Sequence, residues 1–159
     1  MVLGAASDTY DWLGHRWIFR SIPQNVDPSL FKEVIRNQFT GKIIQKPPLF
    51  SALKKNGKEY YRYALSGENI EIEPREIEII QILPVSFIHR TYQAQAIFSV
   101  ECSKGTYIRS MARDIGFALG TVGVVKDLCR THIGKYSLVH ASPLSHFDSL
   151  ETVQDALIS

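Results

Sequence analysis

An abrupt change of hydrophobic period after Cys102 constrains this chain more than any other feature. Up to that point Ala94, Ala96, Phe98, Val100 and Cys102 alternate with mostly polar residues, the period of a half-buried strand running from Tyr92. After the turn Ser103-Lys104-Gly105-Thr106, the residues Ile108, Met111, Ala112, Ile115 and Leu119 form a helical stripe that ends at Gly120, with Thr106 placed to cap it. A second strand, Arg75 to Ile88, precedes the first as its pairing partner. Strands in runs separated by isolated helices predict an α+β fold: a mixed, largely antiparallel sheet with flanking helices, not a doubly wound parallel one. The chain has no GxGxxG and no GxxxxGK, and the Gly-Lys pairs at Gly41, Gly57 and Gly134 lack the upstream glycine of a phosphate cradle. No nucleotide cofactor is expected.

The remaining segments fit the same architecture. A short strand ends near Leu3, a polar turn holds Asp8, Asp11 and Gly14, and a second strand passes through Trp17 and Phe19. Asp27-Pro28 opens a helix, with Asp27 as cap, Pro28 at the first helical position, and Leu30, Phe31, Val34 and Ile35 on one apolar stripe. A Pro47-Pro48 loop, an Asn56-Gly57 turn and a short helix from about Glu59 to Gly67 make a basic, aromatic-bearing excursion. Two closing strands, about Val122 to Cys129 and Lys135 to Val139, precede a polar tail with a further helical turn. With no repeat or linker in 159 residues, one compact unit is expected.

Charge and cysteine content narrow the function. The net charge is only +2, but it is unevenly distributed. Lys42 to Arg62 contains Lys42, Lys46, Lys54, Lys55, Lys58 and Arg62 against Glu59 alone, and Lys104 to Lys135 contains six bases against Asp114 and Asp127. Between them, Glu68 to Glu78 carries five acids and one base. Such sorting suits a basic face for a polyanion, although a solvated lysine face produces the same counts. Cys102 and Cys129 stand far apart without CxxC spacing or an adjacent histidine, which predicts buried, reduced thiols and no metal site. No apolar run is long enough to span a membrane and the first residues lack a signal-peptide pattern, so a soluble, cytoplasmic protein is expected.

One constellation carries chemistry. In Ser103-Lys104-Gly105-Thr106-Tyr107-Ile108-Arg109, a strand end turns on glycine into a helix whose first turn bears Tyr107 and Arg109. Arg109 borders the apolar stripe, and an arginine turned inward there requires a carboxylate partner. The bland alternative is an ordinary surface arginine. The string SKGTYIR, followed by Asp114-Ile115-Gly116 and by Leu128-Cys129-Arg130-Thr131 and Gly134, resembles the TruB family of tRNA pseudouridine synthases. Leu3-Gly4, Ser7-Asp8-Thr9, Asp11 and Gly14 are similar to that family's LG…TDT.D..G stretch. Gln45, Pro47-Pro48, Phe50-Ser51-Ala52-Leu53-Lys54, Asn56-Gly57-Lys58, Tyr61, Ala64 and Gly67 are similar to its Q.PP.(Y/F)SALK..GK..Y..A..G stretch.

The resemblance implies an enzyme that isomerises the T-loop uridine of tRNA to pseudouridine without metal or redox cofactor, using a carboxylate nucleophile and a flipped base. It implies that Arg109 orients the nucleophilic aspartate, that Tyr107 and Leu128 line the uracil pocket, and that residues about 40 to 67 are an RNA-gripping insertion. Lys42, Lys46, Lys54, Lys55, Lys58, Arg62, Lys104 and Arg130 would then contact the T-arm stem-loop. The family's KP.G.(T/S)S opening, its GH.G.LDP.A.G loop with the nucleophilic aspartate and its K.Y motif have no counterpart in the chain. Asp27-Pro28 mimics LDP without the flanking glycines and histidine, as a helix cap does. The 159 residues are thus expected to be a later portion of the catalytic domain without a C-terminal RNA-binding domain, inactive alone, and completed by a companion N-terminal segment or chain. The alternative is a noncatalytic RNA-binding module. With that carboxylate absent, Arg109 is expected to reach solvent, with Asp8 and Asp114 as the other partners open to it.

Overall fold

The computed structural model describes residues 1–90 and 92–142, which fall in two compact units, Met1–Asp127 and Leu128–Ser159. The first holds β1 (Val2–Leu3), β2 (Ala5–Ser7), β3 (Trp17–Phe19), α1 (Pro28–Gln38), β4 (Gly41–Gln45), β5 (Lys54–Lys55) and β6 (Lys58–Glu59). It continues through α2 (Tyr60–Ser66), β7 (Arg75–His89), β8 (Ala94–Cys102), α3 (Ile108–Ala118) and β9 (Gly123–Val124). The second, as described, is a small hairpin of β10 (His132–Ile133) and β11 (Tyr136–Ser137) followed by a 3-10 turn over Leu138–His140.

The α+β expectation holds. One five-stranded sheet runs β4-β7-β8-β1-β9 with every neighbouring pair antiparallel. Its spine is the β7–β8 pair foreseen from the alternating pattern. Pro84 is tolerated in the middle of β7 because the register shifts there, between Pro84 and Ser86, so the missing N–H coincides with an irregularity in the ladder. The inward positions Ile77, Ile79, Ala94 and Ala96 pack against Phe31 and Ile35 of α1 and Met111 and Ile115 of α3. Each fully buried Phe, Ile or Met side chain contributes on the order of 2 kcal/mol. The alternate positions Ile44, Leu83, Ile88 and Ile97 lie exposed on the other face of the sheet.

Local signals settle the ends of the helices. Asp27 caps α1, its Oδ1 accepting the Leu30 N–H at 2.8 Å, which accounts for Asp27-Pro28 without any catalytic role. Asn56 and Gly57 take φ of +53° and +79°, forming the tight turn that pairs Lys55 with Lys58. Helix α3 lies so close to β9 that a Cβ on Gly116 would run into the backbone of Val122 and Gly123, and one on Gly123 into the Ala112 carbonyl. This contact fixes α3, and with it Arg109, against the edge of the sheet.

Four expectations need correction. Thr106 does not cap α3: the cap is Tyr107, and the Thr106 hydroxyl is buried without a partner among the described residues. The strand foreseen over Val122 to Cys129 stops at Val124, because the chain is buried only through Val125 and is exposed from Lys126 onward, where a strand has nothing to pack on. For the same reason the strand placed at Lys135 to Val139 shrinks to β11, and Cys129 is exposed rather than buried; Cys102 is half-buried, and both thiols are free. The helical turn foreseen in the tail lies outside the described residues.

Candidate active site

The site grows from the turn between β2 and β3. Tyr10 adopts the left-handed region at φ +62°, unusual for a bulky side chain, and the reversal brings Asp11 back over the turn. Ser7 Oγ donates to the Asp11 carbonyl at 2.5 Å, while Asp11 Oδ1 accepts from the Thr9 hydroxyl at 2.8 Å and the Leu13 N–H at 3.0 Å. Asp8 is engaged elsewhere, its Oδ1 accepting the His15 N–H at 3.1 Å across the same turn. Gly14 is required for space, since a Cβ there would meet Ser7 Oγ at 2.6 Å and Asp8 Oδ1 at 2.7 Å. With one carboxylate oxygen holding its own turn, Asp11 has the other free to face α3.

Arg109 meets it there. Its Nη1 donates to Asp11 Oδ2 at 3.1 Å and to the Thr9 carbonyl at 3.0 Å, and its Nη2 to the Phe50 carbonyl at 2.9 Å. The guanidinium therefore ties the β2–β3 turn to the Pro-Pro loop. Arg109 thus has an acid partner within the chain where the favoured expectation is release to solvent, and neither named alternative is that partner. Asp8 is held in its turn, and Asp114 pairs with its neighbour Arg113 at 2.7 Å. The reason is the left-handed Tyr10, which cannot be read from spacing and which turns Asp11 toward α3. Arg109 is not sealed in, however: its side chain keeps 25% of its exposure, and among the described residues Nε and one hydrogen of Nη2 have no acceptor.

Two further contacts hold the start of α3. Gln45, buried at the end of β4, accepts the Tyr107 N–H through Oε1 at 2.8 Å and donates Nε2 to the Tyr107 carbonyl at 3.1 Å. This bidentate clamp supplies the cap that Thr106 does not. One helical turn beyond Arg109, Arg113 donates to the Lys46 carbonyl at 3.1 Å and lies 4.9 Å over the Tyr10 ring. Burial pulls its pKa down, but hydrogen bonds to Asp114 and Tyr10 outweigh that and leave it raised. Ser110 Oγ donates to the same carbonyl at 2.9 Å. Asp11, Gln45 and Arg113 went unnamed as site residues in the sequence; only the string that places Gln45 before Pro47-Pro48 and Asp11 before Gly14 marked the first two.

The other sequence-derived residues are dispersed. Tyr107 is half-buried at the helix start beside Arg109. Leu128 and Arg130 belong to the second unit and are exposed within it. Most of the basic excursion is already engaged, because the acidic segment folds back on it. Lys42 pairs with Glu76 at 3.3 Å, Lys58 with Glu68 at 2.6 Å, and Lys54 and Arg62 with Glu59 at 3.6 and 2.9 Å. Lys55 Nζ donates to the Glu71 carbonyl at 2.8 Å. Lys46 and Lys104 are exposed and carry no ion pair among the described residues. Tyr60 packs inward, Tyr63 donates its hydroxyl to the Lys55 carbonyl at 2.9 Å, and Tyr61 stays exposed. Among the described residues no three His, Cys, Asp or Glu side chains gather as metal ligands, and no helix is long and apolar enough to cross a membrane.

A family profile described as TruB family pseudouridylate synthase (N terminal domain) matches residues 1–108, which include the Asp11 turn, Gln45 and Tyr107. The chain belongs to the TruB family. Among its relatives, a tRNA pseudouridine synthase B of Bordetella parapertussis is 38% identical over 98% of this chain and 62% of that protein. One of Ligilactobacillus salivarius is 36% identical over 94% of this chain and 50% of its own length. The chain thus spans about half to three-fifths of these TruB proteins. A chain in the crystal structure of a Cbf5-Nop10-Gar1 complex is similar at 26% identity with a TM-score of 0.44, over 67% of this chain and 26% of that one.

Proposed function

We propose that the chain is part of the catalytic domain of a cytoplasmic tRNA pseudouridine synthase that isomerises the T-loop uridine, with the nucleophilic aspartate supplied from outside these 159 residues. The observation that carries this reading is the state of Arg109. It is half-buried, held in one orientation by Asp11 and two carbonyls, and still has unengaged N–H donors beside Tyr107. A guanidinium fixed in this way can take a second carboxylate, keep it ionised by favouring its charged form, and aim it at a ribose carbon. Breaking the bond to N1 of uracil and rejoining through C5 needs a nucleophile, a base pocket and an RNA grip, with no step that calls for a metal or redox cofactor.

In this reading Tyr107 and Leu128 line the uracil pocket. Lys46, Lys104 and Arg130 meet phosphates directly, while Lys42, Lys54, Lys55, Lys58 and Arg62, within the insertion at about 40 to 67, exchange their present partners for phosphate. The test is tritium release from a T-arm RNA carrying [5-3H]uridine, run beside a binding measurement on the same RNA. The chain alone is expected to bind without releasing tritium, as no aspartate in it has the GH.G.LDP setting. Release above a no-protein blank that Asp27→Ala abolishes would overturn the placement of the nucleophile, and absence of binding would overturn the RNA reading itself.

A further inference from the structure

The β2–β3 hairpin carries a feature that the site does not use. Residues 12 to 20 read Trp-Leu-Gly-His-Arg-Trp-Ile-Phe-Arg, with three aromatics, two arginines and no acid. Trp17 is seated on Val2, Ala5 and Val124, which fixes its plane. Phe19 stacks on it with ring centroids 6.2 Å apart and 14° between planes, and Trp12 meets it edge-on at 4.9 Å. The two outer rings are open, Phe19 at 70% and Trp12 at 42% exposure. A single exposed aromatic is ordinary, but a joined row of them marks a binding surface.

We infer that this hairpin is a stacking shelf for unpaired RNA nucleotides flanking the base that enters the Arg109 site. The inference rests on the RNA-modifying reading above. Three observations select this occupant. The shelf is continuous with the site, since Trp12 directly follows Asp11, whose two carboxylate oxygens hold the Leu13 N–H and Arg109. Its charge complements phosphate: Arg16 and Arg20 are exposed and have no ion pair among the described residues, while the nearby acids Asp8 and Asp11 are engaged. Alternation sends Arg16 and Arg20 to the face of the ribbon opposite Trp17 and Phe19, but a two-stranded ribbon is only about 5 Å across, and side chains of that length can round its edge. Extruding a base leaves its neighbours without stacking partners, and aromatic side chains accept any base face with little regard to sequence.

The test is direct because Trp12 and Trp17 are the chain's two tryptophans, so its tryptophan emission reports on this hairpin. A dye-labelled T-arm stem-loop RNA is titrated into the full chain while anisotropy reports binding and tryptophan emission reports the shelf. Parallel saturation of the two signals is expected, with Phe19→Ala weakening affinity about tenfold and Phe19→Tyr restoring it. A blunt duplex of the same stem should leave the emission unchanged. Urea unfolding of each variant confirms that the fold persists. Binding by anisotropy without quenching, at an affinity that Phe19→Ala leaves unaltered, overturns the shelf while the RNA reading stands; no binding to any RNA at low salt overturns both. Emission that instead changes with protein concentration, together with self-association in sedimentation that Phe19→Ala abolishes, makes the hairpin a surface between copies of the chain and also overturns the inference.

Discussion

Replacing Asp11 with Asn tests the centre of the site without changing its shape. The Asp11→Asn side chain retains the Oδ1 acceptor for the Leu13 N–H and the Thr9 hydroxyl, but presents an amide nitrogen to Arg109 where a carboxylate oxygen stood. A hydrogen bond to a charged group contributes about 1.5–3 kcal/mol, and stripping one member from a fully buried pair costs about 3–5 kcal/mol. Here the two side chains keep 25% and 27% exposure, and Arg109 still has the Thr9 and Phe50 carbonyls, so water and those acceptors recover part of the loss. The expected destabilisation is about 1–2 kcal/mol. Urea unfolding followed by tryptophan emission is the assay, since both tryptophans lie in the first unit within six residues of Asp11. With a slope of about 2 kcal/mol per molar, the midpoint should fall by roughly 0.5–1 M. A double-mutant cycle with Arg109→Gln should give a coupling energy of about 1 kcal/mol; a value below about 0.3 kcal/mol, within the range of plain additivity, would refute the pairing.

Other perturbations check the fold and the charge map. Asp27→Ala should cost about 1 kcal/mol in urea unfolding through loss of the α1 cap and leave RNA affinity unchanged. Gly116→Ala should destabilise by at least about 2 kcal/mol in the same assay, because its Cβ meets backbone of Val122 and Gly123 rather than a side chain that could move aside. Replacing Lys46 and Lys104 by Ala should reduce the salt dependence of RNA binding more than replacing Lys54 and Lys58, whose charges are already engaged. The Glu68 carboxyl is held below the usual range by its hydrogen bond from Lys58 and then by that from Ser66. Its contribution is therefore present above the ordinary carboxylate pKa and lost as pH falls through the depressed folded value; NMR titration of Glu68 beside amide exchange in α2 should show the two events together.

What the sequence made legible is what hydrophobic period and turn chemistry control. The β7–β8 pair, the α1 and α3 stripes, the Asp27 cap and the Asn56-Gly57 turn are each written in short runs of consecutive residues, and each formed as expected. The misses share a cause. Val122 to Cys129 has the composition of a strand, but a strand persists only where a neighbour and a core receive it, and burial ends at Val125. Counting charge in Lys42 to Arg62 overstated its freedom in the same way, because the acids that engage it are supplied by Glu68 and Glu76 further along the chain as well as by Glu59 within it, and Lys55 is held by the Glu71 main-chain carbonyl.

The Arg109 site shows why pairing is harder to read than folding. The sequence offers Asp8 and Asp114 as acids within reach of Arg109, and nothing in the spacing of the turn marks Asp11 over Asp8. The choice is made by backbone geometry, since the left-handed Tyr10 brings Asp11 back over the turn with Oδ2 on Arg109, while Asp8 Oδ1 holds the His15 N–H across it. One sequence signal does bear on this, although only in retrospect. Gly14 packs on Ser7 Oγ and Asp8 Oδ1, so the turn closes tightly around Asp8, whose Oδ1 holds the His15 N–H. Asp11 spends only Oδ1 on the turn, so its Oδ2 is the oxygen that an arginine on the adjoining helix finds. An acid that spends one carboxylate oxygen on its own turn and keeps the other free is thus a better candidate partner for a half-buried arginine than an acid merely close in sequence, as Asp114 is. Gly14→Ala separates the two effects: it should loosen the turn and weaken the Asp11–Arg109 coupling in the same cycle, while the Arg113–Asp114 pair, whose two members both stand on α3 and meet the turn only where Arg113 lies over the Tyr10 ring, should change less.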